Sequence, residues 1–171
     1  MNRLTRLAVW LSRIHCCCGF GIQSPTDYWF VRNVVNERWP YYAYSALNDD
    51  DWLRRRLERL YFRLANWRQP RVALDLVGAS DSLLLGCRSV SLCGVDGRFD
   101  MAVVPTDGLG LSLLDRCSDD TVMVFQDVYA APELWQQVVA DERVRVSYDL
   151  YYCGIALFDR KRTKQHYKIN F

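Results

Sequence analysis

The chain has 171 residues, half of them hydrophobic, which is enough for one sizeable core and too few for two. Its formal net charge of +2 excludes any argument from global charge for a nucleic-acid or acidic-membrane partner. No stretch approaches the roughly 20 apolar residues of a spanning helix, and seven cysteines, three of them consecutive at Cys16, Cys17 and Cys18, exclude an orderly disulfide framework. Reduced thiols and a cytoplasmic location are therefore expected. The remaining cysteines show no paired ligand spacing and the only histidines are His15 and His166, so no metal site is expected.

In chain order, Leu4, Leu7, Ala8, Leu11 and Ile14 recur at helical spacing, and Arg6 and Arg13 interrupt the run, so it reads as an amphipathic helix rather than a signal peptide. Gly19 and Gly21 mark a break. Ser24, Pro25 and Asp27 then form a helix start signal, and a helix over residues 25–38 is predicted, ended by Pro40. Tyr41, Tyr42 and Tyr44 predict an extended connection whose rings need a surface to pack on. Residues 48–51 form an acidic cap before a long helix with Leu53, Leu57, Leu60 and Leu64 on one face. Arg55, Arg59 and Arg63 fall one turn apart on another face. Such a stripe is a phosphate-binding surface or, more commonly, a solvated helix face, and the solvated face is the expectation here.

The segment VALDLVGASDS, residues 72–82, carries the most information. An apolar strand that ends in a carboxylate and runs into a Gly/Ala/Ser turn is how α/β folds arrange backbone amides and one acidic group around a ribose-bearing ligand. Val77, Ala79 and Asp81 stand where a G-x-G-x-G phasing would want glycines, and a shift of one residue recovers only Gly78. Residues 82–86 leave room for a turn or two of helix. Residues 90–95 and 99–104 read as strands around Asp96-Gly97, a strong hairpin signal, so an antiparallel pair is predicted unless one of the two is not a strand. Further on, 109–114 is helical, 121–125 a strand, 132–139 a helix, and 144–150 and 155–158 two strands with Gly154 in their connection. Tyr167, Ile169 and Phe171 alternate as a final edge strand.

Two blocks of this chain resemble a known family. HCCCGFGIQSPTDYWFVRNVVNERWPYYAY, with its G-x-G-x-x-S-P signature, is similar to the N-terminal extension of a group of bacterial proteins identified as class I S-adenosylmethionine-dependent methyltransferases. TVMVFQDVYAAPELWQQVVADERVRVSYDLYYCGIALFDRKRTKQHYKINF resembles their last third, and together the blocks cover a little under half of the chain. The resemblance implies an α/β fold, a Rossmann-like methyltransferase sheet with antiparallel C-terminal strands. It also implies an N-terminal helical extension over residues 1–47 and a catalytic domain over 48–171. It implies S-adenosylmethionine as cofactor and an acceptor substrate that the sequence does not identify. Asp75 matches the carboxylate ending the first strand, Gly78 to Ser80 the cofactor loop, Asp96 loosely the ribose carboxylate, and Asp127 the acidic residue near the transfer point; Gln126 stands where a second acidic residue often occurs.

Between Asp81 and Phe99 too little chain remains for the usual crossover helices and third strand, so the sheet is expected to be incomplete. A Val in place of a loop Gly forbids positive φ and fills ligand space. Weak or absent cofactor binding is the consequence, in a methyltransferase-like protein with degenerate chemistry. The alternatives are a non-catalytic interaction module using the aromatic N-terminal unit or the arginine stripe and, less favoured, a nucleic-acid binder through those arginines with Arg160, Lys161, Arg162 and Lys164.

Overall fold

A helix starts where a short polar side chain can accept from the free amides of its first turn, and the chain supplies such caps at Ser24, Asp51 and Asp107. The computed structural model describes residues 3–47 and 49–171; Asn48, first residue of the expected acidic cap, lies outside them. The helices are α1 (Arg3–Ser12), α2 (Pro25–Phe30), α3 (Trp52–Arg68), α4 (Ser80–Gly86), α5 (Gly108–Ser112) and α6 (Pro132–Ala140). The strands are β1 (Val72–Asp75), β2 (Ser91–Cys93), β3 (Met101–Pro105), β4 (Val122–Gln126), β5 (Val146–Asp149), β6 (Cys153–Leu157) and β7 (Gln165–Lys168). They form one mixed sheet in the order β2-β1-β3-β4-β6-β5-β7.

Alternation along the strands separates two buried layers. Ala73, Met101, Val103, Val122, Val124 and Ile155 face α3 and α4, whose Leu57, Leu60, Leu64 and Leu83 join the same cluster. Leu74, Ala102, Val104, Met123, Phe125 and Ala156 face the other way, against Leu113, Leu114, Trp135 and Val138. Strands covered on both faces read as continuous apolar runs, which is why residues 101–104 and 122–125 carry no polar side chain.

The Asp96-Gly97 hairpin does not form. β2 and β3 lie on opposite sides of β1, and both run parallel to it. Residues 94–100 make the return, which is feasible because β2 is only three residues long. Seven residues reach about 25 Å, enough to pass two strand spacings sideways and one short strand back. The turn signal itself is real: the Gly97 amide donates to the Gly94 carbonyl at 2.9 Å. Phe99 from this return is buried with Leu74 and Ala102, filling the face of β1 where a crossover helix would otherwise stand.

The C-terminal strands are antiparallel as expected at β4–β6 and β6–β5, and the edge strand β7 pairs parallel to β5. Gly154 lies inside β6 rather than in a connection. A Cβ there would meet the Trp135 ring at 2.4 Å, so the glycine lets α6 settle on the sheet. The predicted 25–38 helix is α2 followed by a π-turn, Val31–Val35. It ends early because Arg63 of α3 donates to the Val34 and Val35 carbonyls (2.6 and 2.9 Å), capping them with a guanidinium. Tyr42–Ser45 is a 3-10 turn rather than an extended segment, and Tyr41 and Tyr44 pack edge-on against Phe62.

The N-terminal elements share a core with the sheet through Phe30, Val31, Val34 and Val35. Asp27, buried, accepts from the Tyr148 hydroxyl at 2.5 Å, from Tyr167 at 3.2 Å and from Arg162. Arg13 makes a two-pronged pair with the Asp149 carboxylate (3.0 and 3.1 Å). Helix α1 itself buries no side chain, and no helix among the described residues is long and apolar enough to cross a membrane.

Gly86 sets the distance between α3 and α4, since a Cβ would stand 2.3 Å from the Phe62 carbonyl oxygen. Gly86→Ala is expected to lower the free energy of unfolding by about 1–3 kcal/mol, read as a reduced urea midpoint. Gly94→Ala, with open space around it, should shift the midpoint little; equal losses would contradict the close approach.

Candidate functional site

In an open α/β sheet the ligand crevice lies beyond the carboxyl ends of the strands where connections leave in opposite directions. That point here is β1, whose chain departs to β2 on one side while β3 pairs on the other. Asp75 ends the strand. Its Oδ1 accepts from the Val77 and Gly78 amides (both 3.0 Å) and its Oδ2 from the Ser80 hydroxyl (2.5 Å), so the carboxylate organises its own loop. Burial pushes the Asp75 pKa up, but the Ser80 hydroxyl and the Ala79, Val77 and Ser80 amides outweigh it and hold the carboxyl below its ordinary value. Gly78 adopts φ +82°, and a Cβ there would meet nothing within 4 Å. The glycine recovered by the shifted register is thus the one that makes the left-handed turn, beside open space.

That space belongs to a cleft of about 290 Å³ between the N-terminal half of α3, the β1 loop and the end of β4. Val77 and Gly78 line one wall, Gln126 and Asp127 another, and Asp51, Arg54, Glu58 and Tyr61 the third. Asp127 sits at φ +61°, its amide donating to the Tyr152 carbonyl at 2.8 Å, a left-handed turn that aspartate tolerates better than most residues. Gln126 joins the two sides: its Oε1 accepts from the Tyr61 hydroxyl at 2.8 Å and its Nε2 donates to Asp127 Oδ2 at 3.3 Å. Burial drives the Tyr61 hydroxyl well above the ordinary phenol pKa, with Cys153, Asp127 and Asp75 adding to the shift, so Tyr61 is a donor at neutral pH.

The cleft is acidic. Asp51, Glu58 and Asp127 face it with one cation, Arg54, which pairs with Glu58 and Asp49 (both 3.2 Å). Asp51 caps α3, and the hydrogen bond from the Arg54 amide, the largest cause, lowers its pKa.

No protein-family model matches this chain, and no curated protein does. Among solved structures, the SAH-bound Podospora anserina methyltransferase PaMTH1 is similar, with a TM-score of 0.52 and 12% identity, covering 84% of this chain and 97% of that one. The fold is Rossmann-like, of the methyltransferase type. Compared with the doubly wound order 3-2-1-4-5-6, this methyltransferase-like sheet has no strand outside β2 among the described residues, and β2 is an exposed edge.

Of the residues singled out in the sequence, Gly78 and Asp127 line the cleft, and Asp75 and Ser80 shape its loop from behind. Asp96 lies elsewhere, exposed on the β2–β3 turn. Arg116 donates to the Val95 and Gly97 carbonyls on either side of it, which ties that turn to the segment after α5, and Asp96 is not among the residues lining the cleft. Cys93 pairs with Leu74, so Gly94 stands level with Asp75 and the end of β2 carries no carboxylate. Sequence reading missed Tyr61 and Glu58. Both lie within α3, where no motif or spacing singles them out, and only the packing of that helix brings them to the cleft.

Asp75→Ala is expected to remove about 1–2 kcal/mol of stability at neutral pH through the lost loop hydrogen bonds. Because the folded-state pKa of Asp75 is lowered, its contribution is complete above the ordinary carboxylate value and is lost as pH falls through the folded one. Urea midpoints of wild type and variant should therefore converge below about pH 4; a gap that stays constant with pH would contradict the role given to Asp75.

Proposed function

We propose that this is an S-adenosylmethionine-dependent methyltransferase-type protein with its cofactor site retained on one side and reduced on the other, so that it binds the cofactor weakly and transfers methyl groups slowly or not at all. The observation that carries this reading is the asymmetry of the sheet's carboxyl edge. β1 supplies an open Gly78 turn beside the acidic cleft, whereas β2 ends level with Asp75 in Gly94, with Asp96 held away on its turn.

The residues fit the cationic half of such a cofactor. When bound, the cofactor supplies an electrophilic methyl group on a sulfonium. Gly78 leaves room for the ligand's backbone approach, and Asp51, Glu58 and Asp127 favour a positive charge in the cleft. Tyr61 stays protonated and, through Gln126, steadies the Asp127 carboxylate. At the end of β2 no equivalent group stands level with Asp75 among the described residues, and methyl transfer depends on orientation, which accounts for about 7–11 kcal/mol of such barriers. A ligand held at one end loses part of that contribution. The arginine-lined groove on another face of α3 favours a second reading, a binding module without catalysis.

Calorimetry with S-adenosylmethionine and S-adenosylhomocysteine tests the proposal. Weak binding is expected for both, tighter for the sulfonium, abolished by Gly78→Val. Asp127→Asn should lower the preference for the sulfonium by about two- to fivefold, as for one partly exposed charge. Tight binding with ready turnover would overturn the reduced site, and absence of heat for both ligands at high protein concentration would overturn the cofactor reading altogether.

A further inference from the structure

Arg55, Arg59 and Arg63 of α3 do not form the solvated face expected of them: none of the three is fully exposed. Arg63 is buried, and all three of its donor nitrogens are engaged by Val34, Val35 and Tyr44. Arg56 and Arg59 line a second cleft, about 850 Å³, between α3, the 36–44 connection and the N-terminal elements. Their guanidinium groups are held on aromatic faces, Arg56 4.4 Å from the Phe171 ring centroid and Arg59 4.8 Å from that of Tyr44. Stacking fixes the plane of a guanidinium and leaves its edge donors unsatisfied.

Those donors have no acceptor. Arg56 Nε, Arg59 Nε and Asn36 Nδ2 are buried without a hydrogen-bond partner, and all three residues line this cleft. Leaving one buried donor unpaired is unfavourable, and here three occur together. Arg38 and Arg55 add positive charge, while the side-chain carboxylate among the lining residues, Glu37, accepts from the Tyr41 hydroxyl at 2.7 Å. Arg38, Arg56 and Arg59 make no ion pair among the described residues. Burial, with Arg63 and Arg38 adding to it, lowers the Arg56 pKa from the ordinary guanidinium range, the direction expected of crowded cations lacking a counter-ion. The rim carries Trp39, 72% exposed, a flat surface on which a ring can stack.

We propose that this groove binds a free nucleotide, its phosphates received by Arg56, Arg59 and Asn36 and its base stacked at Trp39. Unpaired donors and cations without a counter-ion on one lining favour an acceptor-only group, and paired guanidinium forks match phosphate oxygens. The volume is in the range of small-molecule pockets. The site is separate from the acidic cleft, and does not depend on the methyltransferase reading.

Titration of the full chain with ATP, pyrophosphate and adenosine, followed by tryptophan fluorescence and calorimetry, tests it. ATP is expected to bind, pyrophosphate to bind more weakly and adenosine alone not to register, with affinity falling between about 50 and about 300 mM salt. Arg56→Gln with Arg59→Gln should weaken ATP by about tenfold or more, while Arg56→Lys with Arg59→Lys should lose less. Because the glutamine pair relieves like-charge crowding, its melting temperature without ligand should equal or exceed that of wild type, and ATP should raise the melting temperature of wild type more than that of the glutamine pair. Binding of S-adenosylhomocysteine by the variants should match wild type, which keeps the two sites distinguishable. Absence of any ATP or pyrophosphate signal, ATP binding unchanged in the glutamine pair, or binding confined to single-stranded RNA would each overturn the proposal.

Discussion

The chain between Asp75 and Met101 is short for what it must connect, and much of the structure beside β1 follows from that limit. Two parallel strands flanking β1 require one crossover out and one return back, and residues 76–100 have to supply both. The outward crossover shrinks to α4, two turns of helix, and the strand it reaches shrinks to three residues. Only because β2 is that short can seven residues bring the chain back past β1. The return then takes over a second task, burying Phe99 against Leu74 where a helix would have covered the face. An exposed β2 edge and the displacement of Asp96 from the carboxyl end of β2 are consequences of this same shortage of chain.

Against that economy on one side, the other side of the sheet is heavily tied. Asp27 gathers Tyr148, Tyr167 and Arg162, and Arg13 clamps Asp149, so the N-terminal elements are fastened to β5 and β7 by charged and hydroxyl groups from four segments. This also engages part of the basic tail, although Arg160, Lys161 and Lys164 stay exposed. Arg162 is engaged by Asp27, Arg160 pairs with Asp119 at 2.9 Å, and Lys164 donates to the Ala140 and Asp141 carbonyls at the end of α6. Of the cluster that reads in the sequence as a nucleic-acid patch, Arg162 is taken inward by Asp27, while the other three basic residues remain at the surface.

What was legible in the sequence was what depends on local chemistry. Caps at Ser24 and Asp51, the apolar period of α3, the β1 strand with its carboxylate and the C-terminal antiparallel pair all follow from residues within a few positions of each other. What failed depended on long-range partners. Asp96-Gly97 does make a turn, but whether the flanking strands pair with each other or on either side of a third is decided by β1, some 20 residues away in sequence. Gly154 looked like a connection residue because its reason, Trp135, lies on another element. The early end of α2 depends on Arg63 in the same way. At the site, Asp75, Gly78 and Asp127 could be picked out by their place after strands, whereas Tyr61 and Glu58 are joined to them only by the packing of α3 across the sheet edge.

Helix α3 is the element that divides the molecule electrostatically. At 3.6 residues per turn, positions 54, 58 and 61 fall on one stripe and positions 56, 59 and 63 on another. The first stripe contributes Glu58 and Tyr61 to the acidic cleft; the second contributes Arg56, Arg59 and Arg63 to the groove. Leu57, Leu60 and Leu64 between them are buried in the sheet-facing core, so neither stripe can rotate toward the other without exposing apolar surface. The clefts therefore keep opposite charge in a fixed relation. A cationic ligand is favoured where Asp51, Glu58 and Asp127 converge and disfavoured beside Arg56 and Arg59, and an anion the reverse. The separation is written in the phase of one helix, and it persists whether or not the shortened β1–β3 region still supports chemistry.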